Sequence, residues 1–177
     1  MEEKVSVWKA NLTNGLILGL ISIVYTLVLY FFDLTFNKSL GYVFMIVQLF
    51  ILYYMLKSYR DTHLHGYMTY GQSLGAGIVI ILYSTILTTI FSYILYKFID
   101  TGLSAKLLTF TEEGMVKKGM TQTQIDAGMA FSKKLLTPEF MMISGFFGSM
   151  IFGTIMSLLV SIFTRKEGNP LVEPPVK

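Results

Sequence analysis

Four stretches of this chain, at about 12–32, 40–56, 73–98 and 140–163, hold no charged residue except Lys97 at the edge of the third. Each is close to the ~20 residues needed to cross about 30 Å of hydrocarbon. In lipid every backbone N–H and C=O must be paired within the protein, so a spanning segment is either a helix or part of a closed barrel. Barrel strands would be near ten residues long with alternating polarity. These runs are longer and apolar on all sides, so the sequence predicts four transmembrane helices. Charged residues make up 14% of the 177-residue chain, against about 25% in a soluble domain. The fold class expected is all-α: an integral membrane four-helix bundle forming one domain over 1–177.

The connections carry their own signals. Asp33, Asn37 and Lys38 form a polar turn between the first two spans. So short a link predicts an antiparallel pair. The second span is expected to leave the membrane at Tyr53, Tyr54 and Lys57. A polar loop, 57–72, follows it and ends in a capping box, Thr69 with Gln72, which starts the third helix near Tyr70. Residues 100–139 are polar yet patterned. Lys117 and Lys118 before Gly119 read as a helix C-terminus, and Thr121 with Gln124 as another capping box. A helical hairpin over about 103–135 is therefore expected. Thr137-Pro138 opens the last span, since threonine caps well and proline suits the first helical position. An extended tail is expected over 165–177.

Glu2 and Glu3 ahead of a long apolar core, with no small-x-small site after it, fit a retained anchor rather than a cleaved signal. The 14 Lys and Arg divide evenly between the two sides of the bilayer. Both arginines, Arg60 and Arg165, fall on the side of the termini, where most charges flank a span directly. That places both termini in the cytoplasm and the hairpin outside.

Small residues recur at four-residue spacing: Gly15 and Gly19 in the first span, Gly71 and Gly75 (with Gly77 beside them) in the third, Gly145, Ser149, Gly153 and Ser157 in the fourth. With no hydrophobic drive between helices in lipid, close backbone approach through small residues supplies attraction. Packing within the bundle is the first reading of this pattern, and contact with another protein the second.

Polar candidates are few. Gln48 lies near the centre of the second span. Tyr25, Tyr83, Thr85, Thr88 and Thr89 add hydroxyls, and an interhelical hydrogen bond is the expected role for the glutamine. Arg60, Asp61, His63 and His65 form the only group of titratable residues able to converge. A His-x-His pair beside a carboxylate resembles half of a zinc site, but no further ligand cluster accompanies it. Local pairing of Arg60 with Asp61 is the simpler expectation. No phosphate-binding glycine loop, serine elbow or metal-binding helix motif occurs. Glu112 and Glu113 are adjacent and point in different directions on a helix. No catalytic, metal or cofactor site is expected. The chain has no cysteine, which removes disulfides and thiol chemistry, and no basic–aromatic stripe points to nucleic acid.

Two runs are specific enough to carry a resemblance. One is Arg60-Asp61 followed by Gly66-Tyr67-Met68-Thr69-Tyr70-Gly71-Gln72. The other is Gly119-Met120-Thr121-Gln122-Thr123-Gln124-Ile125, then Lys133-Lys134 and Thr137-Pro138. With this order of parts, the chain resembles a family of small four-helix membrane proteins, widespread in Bacteroidota and catalogued as a domain of unknown function, DUF4199. The resemblance covers nearly the whole chain and implies a bacterial inner-membrane location. It transfers no activity. The expected partners are the lipid bilayer and a second copy or a larger membrane complex. The expected role is a non-enzymatic accessory or assembly subunit. The alternative is a small transporter or channel acting as an oligomer through Gln48, Tyr83, Thr85 and Thr88.

Overall fold

The computed structural model describes residues 6–168. Most of the expected extended tail, at 169–177, lies outside the described residues. Among these the chain forms α1 (Val7–Phe31), α2 (Lys38–His63), α3 (Tyr70–Ile94) closed by a π-turn (Leu95–Ile99), α4 (Leu103–Lys117), α5 (Gln122–Leu135) and α6 (Pro138–Thr164). Helices α1, α2, α3 with its π-turn, and α6 are each long and apolar enough to cross a membrane.

The helix starts follow the capping signals. The Gln72 N–H donates to Thr69 Oγ1 at 3.3 Å, and the Thr69 N–H donates to Gln72 Oε1 at 2.9 Å. Asn37 accepts from the Ser39 N–H at 3.0 Å and so opens α2. Thr137 accepts from the Phe140 N–H at 3.3 Å, with Pro138 in the first turn of α6. Helix α4 ends before Gly119, whose φ of +73° is the left-handed conformation a glycine supplies freely.

One boundary differs. Helix α2 does not end near Leu56 but runs on to His63, through most of the expected 57–72 loop. Lys57 marks an exit from the apolar layer, not an end of the helix. Its last turn carries Arg60, a cation suited to a helix C-terminus, and His63. The chain breaks only at His65 and Gly66, with φ of +53° and +83°.

The packing is centred on α3, with α1 on one side and α6 on the other. At Gly15 an added Cβ would strike the Cβ of Tyr83 and lie 2.9 Å from the Ile80 carbonyl; at Gly19 it would lie 2.9 Å from Leu87 Cδ2. Residue numbers rise together along this contact, so α1 and α3 are parallel. On the other side Gly153 receives the side chain of Ile81, and Gly77 lies against Ser157, where an added Cβ would be 2.7 Å from Oγ. Numbers fall as they rise here, so α3 and α6 are antiparallel. The short turn makes α1 and α2 antiparallel, as expected, with Ser22 opposite Gln48 and Tyr25 opposite Phe44, but they are not packed closely along their length. They meet near the turn, where Tyr25 stacks on Phe44 with ring centroids 4.1 Å apart and its hydroxyl donates to the Leu40 carbonyl at 2.8 Å. Farther along, α2 leans onto α6.

The bundle is closed at one end only. Its buried residues crowd the half that holds the start of α1 and the end of α6: Asn11 and Leu18 on α1, Leu52 and Leu56 on α2, Ser73 to Ile81 on α3, Met156 to Thr164 on α6. In the other half the helices separate, and Val28, Ile90, Phe140 and Phe147 are exposed to the bilayer layer. Above that half sits the α4–α5 hairpin. Phe110 stacks on Phe36 with centroids 5.7 Å apart, Lys106 lies 3.4 Å from Asp33, and Met115 Sδ and Cε cover Gly128.

A methyl group at Gly15 or Gly153 has no room, and overpacking of this kind costs about 1–3 kcal/mol. Thermal unfolding in detergent is therefore expected to shift down for Gly15→Ala and Gly153→Ala. Gly75→Ala, with no atom within 4 Å of the added Cβ, should hold or rise by up to ~1 kcal/mol from helix propensity alone. Equal shifts in all three would contradict this packing.

Candidate functional site

The separation of the helices leaves a cavity of about 320 Å³ between all four spans, walled by Ser22 and Tyr25 of α1, Phe44 and Gln48 of α2, Ser84, Thr85 and Thr88 of α3, and Ser149, Phe152 and Met156 of α6. No charged residue lines it. The Gln48 amide donates to Ser22 Oγ at 3.2 Å, and the Ser22 hydroxyl donates to the Leu18 carbonyl at 2.8 Å. Gln48 thus makes an interhelical hydrogen bond and also faces a cavity. Thr85 and Thr88 face it too. Tyr83 does not: its side chain covers Gly15 and meets Trp8 edge-on at 6.3 Å.

A second groove, of about 270 Å³, lies between the far halves of α3 and α6 and includes Thr89, Tyr93, Tyr96, Met142 and Gly145. Lys97 of the π-turn closes its rim, pairing with Glu139 at the start of α6 and donating to the Tyr93 hydroxyl at 2.7 Å. The neighbouring Tyr30 hydroxyl donates to Asp100 Oδ2 at 3.2 Å, tying α1 to the same end.

The small-residue positions separate into two sets. Gly15, Gly19, Gly153 and Ser157 are buried in helix contacts with α3. Gly71, Gly75 and Gly145 have no atom within 4 Å of an added Cβ, and Ser149 is exposed at the rim of both cavities. The physical reason on α3 is angular. Gly77 is two residues past Gly75, about 200° around the helix, and it is Gly77 that faces α6.

Arg60, Asp61, His63 and His65 occupy the opposite, closed end. Arg60 donates to Asp61 Oδ1 at 2.8 Å and to the Thr164 carbonyl at 3.2 Å, capping the last turn of α6. Beside it Ser73 and Thr164 share a hydroxyl hydrogen bond of 2.6 Å, and the backbones of Met68 and Lys166 pair. His63 lies against the Tyr59 ring at 5.6 Å, and His65 sits in the following turn. Among the described residues no three His, Asp or Glu side chains converge. This group is a joint between α2, α3 and α6.

Sequence reasoning missed Ser22 and Ser84 as cavity residues. Their signal was present: Ser22 with Thr26, and Ser84 with Thr88, place hydroxyls four residues apart on one helix face.

Residues 13–166 match the family model described as "Protein of unknown function (DUF4199)". The chain therefore belongs to that family. No curated protein and no solved structure matches it.

An interhelical side-chain hydrogen bond in a membrane bundle averages about 0.6 kcal/mol. Gln48→Leu is accordingly expected to lower stability in detergent only slightly, by about that amount. A loss above ~2 kcal/mol would mean that Gln48 is a main structural tie rather than a cavity residue.

Proposed function

We propose that this member of a family of unknown function is a non-enzymatic accessory or assembly subunit of the bacterial inner membrane. Its partner is a second copy or a larger membrane complex. The observation that carries this reading is the uneven use of the α6 ladder. Gly153 and Ser157 are filled by α3, whereas Ser144, Gly145 and Gly148 are exposed and both glycines have no neighbour within 4 Å of an added Cβ. A helix face of this kind admits another backbone at close range, and the groove beside Gly145 continues it.

Leucine at Gly145 or Gly148 starts from a Cβ with no neighbour within 4 Å and should not lower the monomer's unfolding temperature. In native membranes, cross-linked or co-purified complexes should be lost in both variants. A wild-type protein that purifies in mild detergent as a monomer with nothing attached would remove this reading.

The second reading, a small transporter or channel acting as an oligomer, draws on the convergence of Gln48, Thr85 and Thr88 at one cavity. Solute flux in proteoliposomes that Thr85→Val abolishes would favour it over the first.

The termini belong in the cytoplasm and the hairpin outside. This follows from Arg60, Arg165 and Lys166 gathering at the closed end, where positive charge is retained inside. The natural chain has no cysteine, so a lone Glu113→Cys on α4 reports cleanly. A membrane-impermeant maleimide added to spheroplasts should label it. Labelling only after lysis would reverse the orientation.

A further inference from the structure

Within the spans several serine and threonine hydroxyls resolve their polarity locally, by donating to the carbonyl one turn back. Ser22 does so at 2.8 Å, Thr26 at 2.9 Å, Thr88 at 3.0 Å and Thr154 at 2.7 Å. This is the default where no water is at hand. Ser84 and Thr85, 5% and 4% exposed, make no side-chain hydrogen bond among the described residues, and neither does Ser149. All three line the central cavity. Ser157 and Ser161 also lack partners, but they are sealed within the closed half of the bundle, where nothing can enter. The hydroxyls at the cavity are thus placed to meet a ligand, as are Thr89 and Ser92 in the second groove, but only the central cavity joins them to a side-chain amide, that of Gln48. Gln48 adds a complementary need. Its N–H is taken by Ser22, while its carbonyl oxygen has no donor.

The cavity thus calls for a molecule with at least one O–H for Gln48 Oε1 and several acceptor oxygens for Ser84, Thr85 and Ser149. It must be uncharged, because no residue of either sign lines the walls and an uncompensated ion at this depth is strongly disfavoured. Its route is lateral. Toward the closed end, buried Leu18 and Met156 floor the cavity. On the α6 side Ser149 and Phe152 are exposed and on the α2 side Phe44 and Gln48 are half-exposed, so the cavity opens between these two helices, while Thr35 of the α1–α2 turn lines its far end. The volume, about 320 Å³, is at the low end for small-molecule pockets. It fits a headgroup whose chain trails out past the two phenylalanines.

We propose that this cavity binds the head of a neutral glycerolipid with a free hydroxyl, of the monoacylglycerol or diacylglycerol class. The glycerol hydroxyl donates to Gln48, and the ester oxygens accept from Ser84, Thr85 and Ser149. The site shares Ser149 with the groove beside Gly145 but uses neither Gly145 nor Gly148, so binding that survives Gly148→Leu separates it from the accessory-subunit reading.

The test uses the full chain in phosphatidylcholine nanodiscs with a diacylglycerol carrying a photoactivatable diazirine. Labelling should saturate and map to α2 and α6 peptides. Unlabelled diacylglycerol should displace it; phosphatidylglycerol, and the same diacylglycerol with its hydroxyl methylated, should not. Thr85→Val and the pair Ser84→Ala with Ser149→Ala should each weaken apparent binding about fivefold or more, as loss of one to two hydrogen bonds requires. Thr154→Val, outside the cavity, should bind as the wild type does. Each variant is checked for a monodisperse profile, and if Thr85→Val aggregates, the double alanine variant decides. Labelling that fails to saturate, that the methylated lipid displaces equally, or that the cavity variants leave unchanged overturns the proposal. So does an absence of labelling.

Discussion

The fold depends on how closely two helices approach α3. Gly15 and Gly19 bring α1 against Ile80, Tyr83 and Leu87. Gly153 and the Gly77–Ser157 contact bring α6 in from the other side. In lipid the attraction between helices comes from packing, not from release of water. Removing the side chain at those positions is therefore what converts three separate spans into one body. Helix α2 has no glycine in such a contact, and Gly41 meets nothing. Accordingly it joins the bundle through leucines at one end and through Tyr25, Phe44 and Gln48 farther along.

That difference explains why the bundle is closed at one end and open at the other. At the closed end the ties are polar and cross three helices: Arg60 on the α6 terminus, Ser73 with Thr164, Met68 paired with Lys166. At the open end they are ion pairs and aromatic contacts around its rim, Lys97 with Glu139, Asp33 with Lys106, Phe36 with Phe110. Contacts at a rim hold helix ends together without filling the space beneath them, and the cavity is that space.

Much of this was legible in the residues. Charge exclusion located the spans, and Thr69, Thr121 and Thr137 marked helix starts that the structure places at Tyr70, Gln122 and Pro138. The hairpin could be read from Gly119 and its flanking lysines. Two things could not. Polarity at Lys57 indicates where apolar surroundings end, and a helix can continue into water beyond that point, as α2 does. Likewise four-residue spacing says that Gly71 and Gly75 share a face but not which neighbour lies on it; that is fixed by the whole bundle. The candidate site was legible only in fragments, because Gln48, Thr85 and Thr88 come together only once α2 has splayed from α6.

The π-turn at Leu95–Ile99 has a consequence for how such a chain can vary. Its i+5 pattern accommodates one residue more than an α-turn would. Every residue after it is thereby rotated about 100° from the α-helical course. Tyr30 meets Asp100, and the hairpin begins where it does, by virtue of that offset. Loss of a single residue within 95–99 would leave the span intact and apolar, yet swing its exit to another side of the bundle. The length of this turn, more than the chemistry of its residues, sets the compass bearing of everything that follows on that face of the membrane.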